Sequence, residues 1–257
     1  MAVGLDSKAQ RYFDSFILSA VSIFVCLPLI AVVWVGLNGP VARVLFDSTL
    51  WSASARSVLI ATLATAFALF LALSLTWGAR RLQYQQRKRT AQGVLLVGTM
   101  TLAVPPMVIG SGLFLALLPL GLAFDAAIYL VALVNGTLVL PYLVRTIGPA
   151  LMTSGERYQR LCLQLGLHGW QRFRLIDWPL LRQPVAFAAA LAATLSLGDM
   201  GVAALFDTSG MLTLPLVLYY RLGAYRFDEA AVTALFLLVL CALVFIVVDR
   251  LVKQWRS

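Results

Sequence analysis

Long apolar runs alternate with short polar, arginine-rich segments along this chain. Six runs reach the roughly 20 residues that one lipid-spanning helix needs. They cover about 15–37, 57–77, 92–118, 123–144, 185–206 and 230–248. None alternates residue by residue as a barrel strand would. Helices are therefore the remaining way to satisfy every backbone group in lipid. Pro105-Pro106 predicts a bend in the third run, and Pro141 lies near the end of the fourth. The first run is longer than a signal-peptide core and no clear A-x-A site follows it, so it reads as a retained helix.

Basic residues divide unevenly between the two sets of connecting segments. One side holds Lys8 and Arg11, the group from Arg80 to Arg89, the group from Arg145 to Arg182, and the final Arg250, Lys253 and Arg256. The other holds Arg43, Arg56, Arg221 and Arg226. The richer side is expected to face the cytoplasm, with both termini on it, in a bacterial inner (cytoplasmic) membrane.

Composition agrees with this reading. Apolar residues make up 61% of the 257, charged residues 12%, and mean hydropathy is +0.90. A soluble globule of this length could not hide that much apolar surface. The net charge of +9 follows the topology, so no nucleic-acid partner is expected, and lipid is. His168 is the single histidine, and Cys26, Cys162 and Cys241 are widely spaced. No catalytic site, metal site or cofactor is expected. No G-x-x-x-x-G-K-[ST] loop occurs, so the chain has no nucleotide site of that kind.

The segment 148–183 carries more pattern than a linker. Thr153 and Glu156 have capping-box spacing, predicting a helix start there. Tyr158, Leu161, Cys162 and Leu165 then recur at i, i+3, i+4 and i+7, one apolar stripe with Arg160 beside it. Gly166 stands where a helix stop is expected. A second segment, 169–177, places Trp170, Phe173 and Ile176 on another apolar face, and Pro179 is expected to end it. Such an amphipathic helix suits a groove on a soluble partner, or else lies on the bilayer surface.

The stretch RLCLQLGLHGWQRFRLIDWP, 160–179, resembles the cytoplasmic signature of binding-protein-dependent ABC importer permeases. That signature reads EAA, three residues, Gly, nine residues, Ile, two residues, Pro. Gly166, Ile176 and Pro179 match it; Arg160, Leu161 and Cys162 stand where the family has Glu, Ala and Ala. SLGDMGVAALF and LTLPLVLYYRLGAYR resemble the C-terminal half of thiamine transporter permeases and their ferric-iron relatives. The resemblance implies an all-α, six-helix MetI-like bundle with a cytoplasmic coupling helix. It also implies partners: a dimeric ABC ATPase docking on 154–165, a second permease half, and a periplasmic or lipid-anchored solute-binding protein. The ATPase-coupling residues it implies are Tyr158, Arg160, Leu161, Cys162, Leu165, Gly166, Ile176 and Pro179. Thiamine or its phosphate is the implied cargo, with ferric iron or a polyamine as alternatives. An ion-coupled secondary transporter remains the reading from another class, and a membrane enzyme has the least support.

Asp199 is the one acid well inside the expected spans, in the outer half of the fifth. A charge at mid-membrane costs roughly 2.5–3.5 kcal/mol on insertion scales, so it should face a polar interior. It is either a pathway carboxylate attracting a cation or a helix-break residue bonding nearby backbone. Tyr219 and Tyr220 belong to an expected short helix, 214–222, between the last two spans. They are either interfacial belt residues or a stacking surface for a cationic ligand. Asp228 and Glu229 read as the cap and first turn of the sixth helix.

Overall fold

The structure is a computed structural model. It describes residues 8–122, 124, 126–206 and 211–254, without the side chains of 8–11, Glu156 and 252–254. The expected fourth-span start at Ala123, Asp207 of the following outer segment, and Arg256 lie outside the described residues.

Among the described residues the chain is helical throughout. α1 (Lys8–Asn38) is followed by the short α2 (Val41–Leu45) and by α3 (Ser48–Tyr84). α4 (Lys88–Thr99) passes through a 3-10 turn (Met100–Ala103) into α5 (Pro106–Leu117), and then comes α6 (Ala127–Gln164). α7 (Gly169–Arg172), a π-helical turn (Phe173–Asp177) and α8 (Trp178–Leu197) form one near-continuous run. α9 (Gly201–Leu205), α10 (Leu214–Gly223) and α11 (Phe227–Gln254) complete it. Among the described residues, five helices are long and apolar enough to cross a membrane. The α4–α5 pair, bent by 91° at Pro105-Pro106, makes six if it counts as one span. Pro106 lacks an N–H and restricts Pro105 to extended backbone, so the bend falls there.

α3, α6 and α8 pack as the centre of the bundle; α11 lies on α8, and α1 lies on α11. The centre is built on small residues. Ala61, Ala64, Ala68 and Ala72 form a buried line on α3 at helical spacing. Such a line lets backbones approach closely where apolar burial offers no preference for protein over lipid. Gly136 of α6 fits into it: a Cβ there would lie 2.8 Å from the Ala64 carbonyl oxygen. Leu143, Ile147 and Leu151 of α6 continue the core with Leu181 and Ala188 of α8.

Three expectations about 148–183 change. α6 does not start at Thr153; it runs unbroken from Ala127, and Thr153 is an exposed interior position. The cap spacing is a local pattern, whereas the preceding turns are held by buried Ile147, Leu151 and Ser154. Pro149 lies inside the helix without ending it. Pro179 does not end the second segment either. It sits in the first turn of α8, directly after the π turn. There the widened turn accommodates a residue with no N–H to donate. The apolar stripe also splits. The buried line of α6 runs through Leu151, Ser154, Gly155 and Cys162, while Leu161 and Leu165 face outward.

Candidate functional site

The end of the bundle that carries Arg80, Tyr84 and Asp177, the basic end, is closed by a buried polar clasp. Asp177 is 1% exposed. It accepts two hydrogen bonds from the Arg80 guanidinium, 2.9 and 3.1 Å, and a third from the Ser154 hydroxyl, 2.8 Å. Arg172 stands 3.7 Å from the same carboxylate and donates to the Tyr84 hydroxyl at 2.9 Å. α3, α6 and the α7–α8 run are thereby tied at one point. Aromatic rings shield it: Phe173 packs between Trp77, Trp170 and Trp178, and Arg80 lies over Trp77. A fork of donors on a fully occupied carboxylate is the geometry that lets a buried charge pair persist. Asp177 was not singled out by sequence reasoning, and Arg80 counted only toward topology.

Beyond the clasp the chain turns through Gly166. Its φ is +65°, and Leu167 N–H bonds to the Cys162 carbonyl at 2.9 Å with Gly166 N–H to the Leu163 carbonyl at 3.4 Å. This is a Schellman stop, which an L side chain fits poorly because of the left-handed backbone. The helix stop therefore stands where the glycine predicted it. Around this turn, Leu161, Leu163, Leu165, Trp170 and Leu175 are each exposed. Of the residues implied by the signature, Arg160, Leu161, Leu165, Gly166 and Pro179 are exposed. Tyr158 and Ile176 are half-buried, and Cys162 is buried.

A cavity of about 230 Å³ opens midway along the bundle, between the α4–α5 bend, α6 and α8. Asn135, Tyr142, Ser196, Asp199 and Thr101 supply its polar lining. Asp199 does not lie inside the fifth helix. Gly198 ends α8, and Asp199 occupies the break before α9, where its carboxylate accepts the Val202 N–H at 3.3 Å. The break follows from the two glycines, 198 and 201, that flank it. Tyr219 and Tyr220 do not line this cavity; they are exposed on α10, which packs against α3 and α11. Among the described residues no group of three or more His, Cys, Asp or Glu is placed to hold a metal ion.

A bent third span, a near-continuous fifth, and an apolar turn after a glycine stop form an arrangement that can be compared with known proteins. Residues 71–257 match the family described as binding-protein-dependent transport system inner membrane component. The chain belongs to that family. This permease is 38% identical over 247 residues to the thiamine transport system permease protein ThiP of Brucella abortus (strain 2308), and 35% identical to ThiP of Escherichia coli (strain K12). Each match covers 96% of this chain, and 45% and 46% of the relative. The chain thus spans about half the length of these relatives. A solved structure described as an amino acid ABC transporter with histidines superposes with a TM-score of 0.60 at 13% identity. It covers 83% of this chain and 97% of the other, and it shares the fold. The permease is a multi-pass membrane transport subunit with an all-helical, MetI-like bundle.

At the end opposite the clasp, the permease holds α10 by a second set of charges. Arg221, 6% exposed, donates to Asp47 at 2.7 Å and to the Thr233 hydroxyl. Glu229 lies 4.0 Å from Arg221 and also pairs with Arg226. Asp228 and Glu229 do stand in the first turn of α11, and Glu229 additionally anchors these arginines. Asp47 caps α3, accepting the Thr49 N–H at 2.9 Å. Burial pushes its carboxyl up, but the Thr49 hydrogen bonds and the Arg221 guanidinium outweigh burial and hold it below the ordinary carboxylate value. A depressed folded-state pKa contributes stability at pH above the unfolded value of about 3.9, lost as pH falls through the folded value. Asp47→Asn is therefore expected to lower the thermal midpoint of the permease at pH 7. The gap from wild type should narrow as pH falls below about 3.9 and close once pH passes the lower folded value, where the Asp47 carboxyl is protonated. A gap that stays constant down to pH 3 would contradict the charge-based account.

Proposed function

We propose that this permease is one transmembrane half of an ATP-driven thiamine importer. Likeness to ThiP over 96% of the chain is the observation that carries the reading. The basic end faces the cytoplasm, as the distribution of Lys and Arg supports. There a separate ABC ATPase dimer docks on the exposed group at Leu161, Leu165 and Trp170, and the residues of the signature loop transmit its closure to α6 and α8. A second permease half completes the channel, and a solute-binding protein delivers thiamine at the opposite end. Asp199 and the tyrosines of α10 belong to the substrate route in this reading. The permease itself carries no nucleotide chemistry; it converts movement of the docked ATPase into alternate opening of the bundle.

Reconstitution tests this directly. Proteoliposomes holding the permease, its second half and its ATPase, supplied with the binding protein, are expected to accumulate radiolabelled thiamine only when ATP is present. Excess unlabelled thiamine should abolish the signal and spermidine or ferric citrate should not. Absence of ATP-dependent thiamine accumulation would refute the proposal.

A further inference from the structure

The cavity beside the α4–α5 bend holds polar groups that the fold itself does not use. Asn135 is 2% exposed, and its amide donates to Ser196 Oγ at 3.2 Å and to the Ser196 carbonyl at 3.4 Å. Its Oδ1 has no hydrogen-bond partner, nor does the buried Thr101 hydroxyl across the cavity. Buried polar atoms in proteins are nearly always paired, so two unpaired ones lining a single cavity call for an explanation. Asp199 contributes a carboxylate to the same lining. It accepts from the Val202 N–H at 3.3 Å and is also bonded by the Gly201 N–H and the Asn135 side chain, which leaves about one of a carboxylate's roughly four acceptor sites for a further partner. The remaining walls, Leu138, Val139 and Leu195 with the Tyr142 ring, are apolar. A space of about 230 Å³ lies just below the roughly 300–1,000 Å³ of small-molecule sites.

We infer that this cavity is a ligand-binding chamber within the permease, and that it takes an organic cation bearing an N–H donor on an aromatic ring. The carboxylate of Asp199 meets the positive charge, and Asn135 Oδ1, which can only accept, meets the N–H. Thr101 closes the polar edge from the bend, while the apolar walls take the ring faces. The two polar contacts differ in kind, although the Asn135 side chain also bonds Asp199. Charge recognition belongs to Asp199, and donor recognition to Asn135. This inference rests on the importer reading for its choice of thiamine, whose thiazolium is the cation and whose aminopyrimidine is the donor.

The assembled transporter in nanodiscs, with no binding protein, provides the test. Retention of radiolabelled thiamine is compared with competition by oxythiamine, which keeps the charge but has a carbonyl oxygen in place of the amino group. Wild type is expected to prefer thiamine by about tenfold, the scale of one well-placed hydrogen bond. Asn135→Leu should erase that preference. Asp199→Asn should weaken both ligands by a similar factor and leave the preference intact. If Asn135→Leu does not assemble, Asn135→Ala carries the same measurement and should likewise erase the preference. Equal retention of the two compounds by wild type, or a preference that survives in Asn135→Leu, would overturn the chamber. ATP-driven thiamine uptake that none of these substitutions alters would overturn the chamber and leave the importer reading standing. Retention that responds as described, without any ATP-driven uptake, would sink the importer reading and keep the chamber.

Discussion

Asp177→Ala is expected to cost the permease about 3–5 kcal/mol, the scale for removing one partner of a buried ion pair. The substitution removes a carboxylate that accepts from both Arg80 nitrogens and from Ser154. It leaves the Arg80 guanidinium, itself buried, with no anion in reach on that side. Thermal unfolding of the purified protein in detergent should show a midpoint lower by on the order of 10 °C. A second variant separates lost pairing from lost packing. Replacing both partners, as Arg80→Met with Asp177→Leu, removes the buried pair together, leaves only the half-buried Arg172 without its nearby carboxylate, and should recover much of the stability. Arg172 keeps its bond to Tyr84 in that variant. If the double substitution is as unstable as Asp177→Ala alone, the clasp holds the fold through shape and not through charge.

On the docking proposed above, Leu161→Asp combined with Leu165→Asp should abolish co-purification of the permease with an ABC ATPase while leaving thermal stability almost unchanged. Both side chains are exposed, 44% and 62%, so the bundle does not depend on them. Carboxylates introduced into the proposed docking patch would leave unpaired charges at that interface, which typically costs several kcal/mol. Loss of more than about 100-fold in affinity, and with it all coupled uptake, is the expected outcome. Cys162→Ser provides the contrast, because that side chain faces the bundle. It should affect stability more than docking. Retention of a normal complex by the Leu161/Leu165 variant would move the docking surface elsewhere.

Hydropathy made the six apolar runs legible, because lipid demands long uninterrupted segments whatever their tertiary partners. Pro105-Pro106 likewise announced the 91° bend through its own covalent geometry. Gly166 announced its stop, and the short α10 was visible between its flanking segments. The start expected at Thr153 fails for a physical reason. A cap pattern reports what a helix end would look like, and it cannot report that packing from Ile147 to Ser154 carries the helix past it. Pro179 misleads similarly, since a π turn upstream is invisible in composition. The clasp was beyond reach for another reason: Asp177 and Arg80 are 97 residues apart, and each alone looks like an ordinary interfacial charge. Asn135 does leave a trace. It is one of only two asparagines in the chain and the one that falls inside an apolar run. A lone amide at membrane depth is costly enough for its position in the chain to mark a site.

α6 is 38 residues long, about 57 Å of helix, and it carries Asn135 on one stretch and Leu161 on another. One rod therefore reaches from the chamber wall to the outermost turn of the basic end. The clasp grips it at Ser154, and the Ala64 backbone grips it at Gly136. A push on the far turn need not be relayed from side chain to side chain. In the importer proposed above, it would travel as a movement of the whole helix, as through a crowbar.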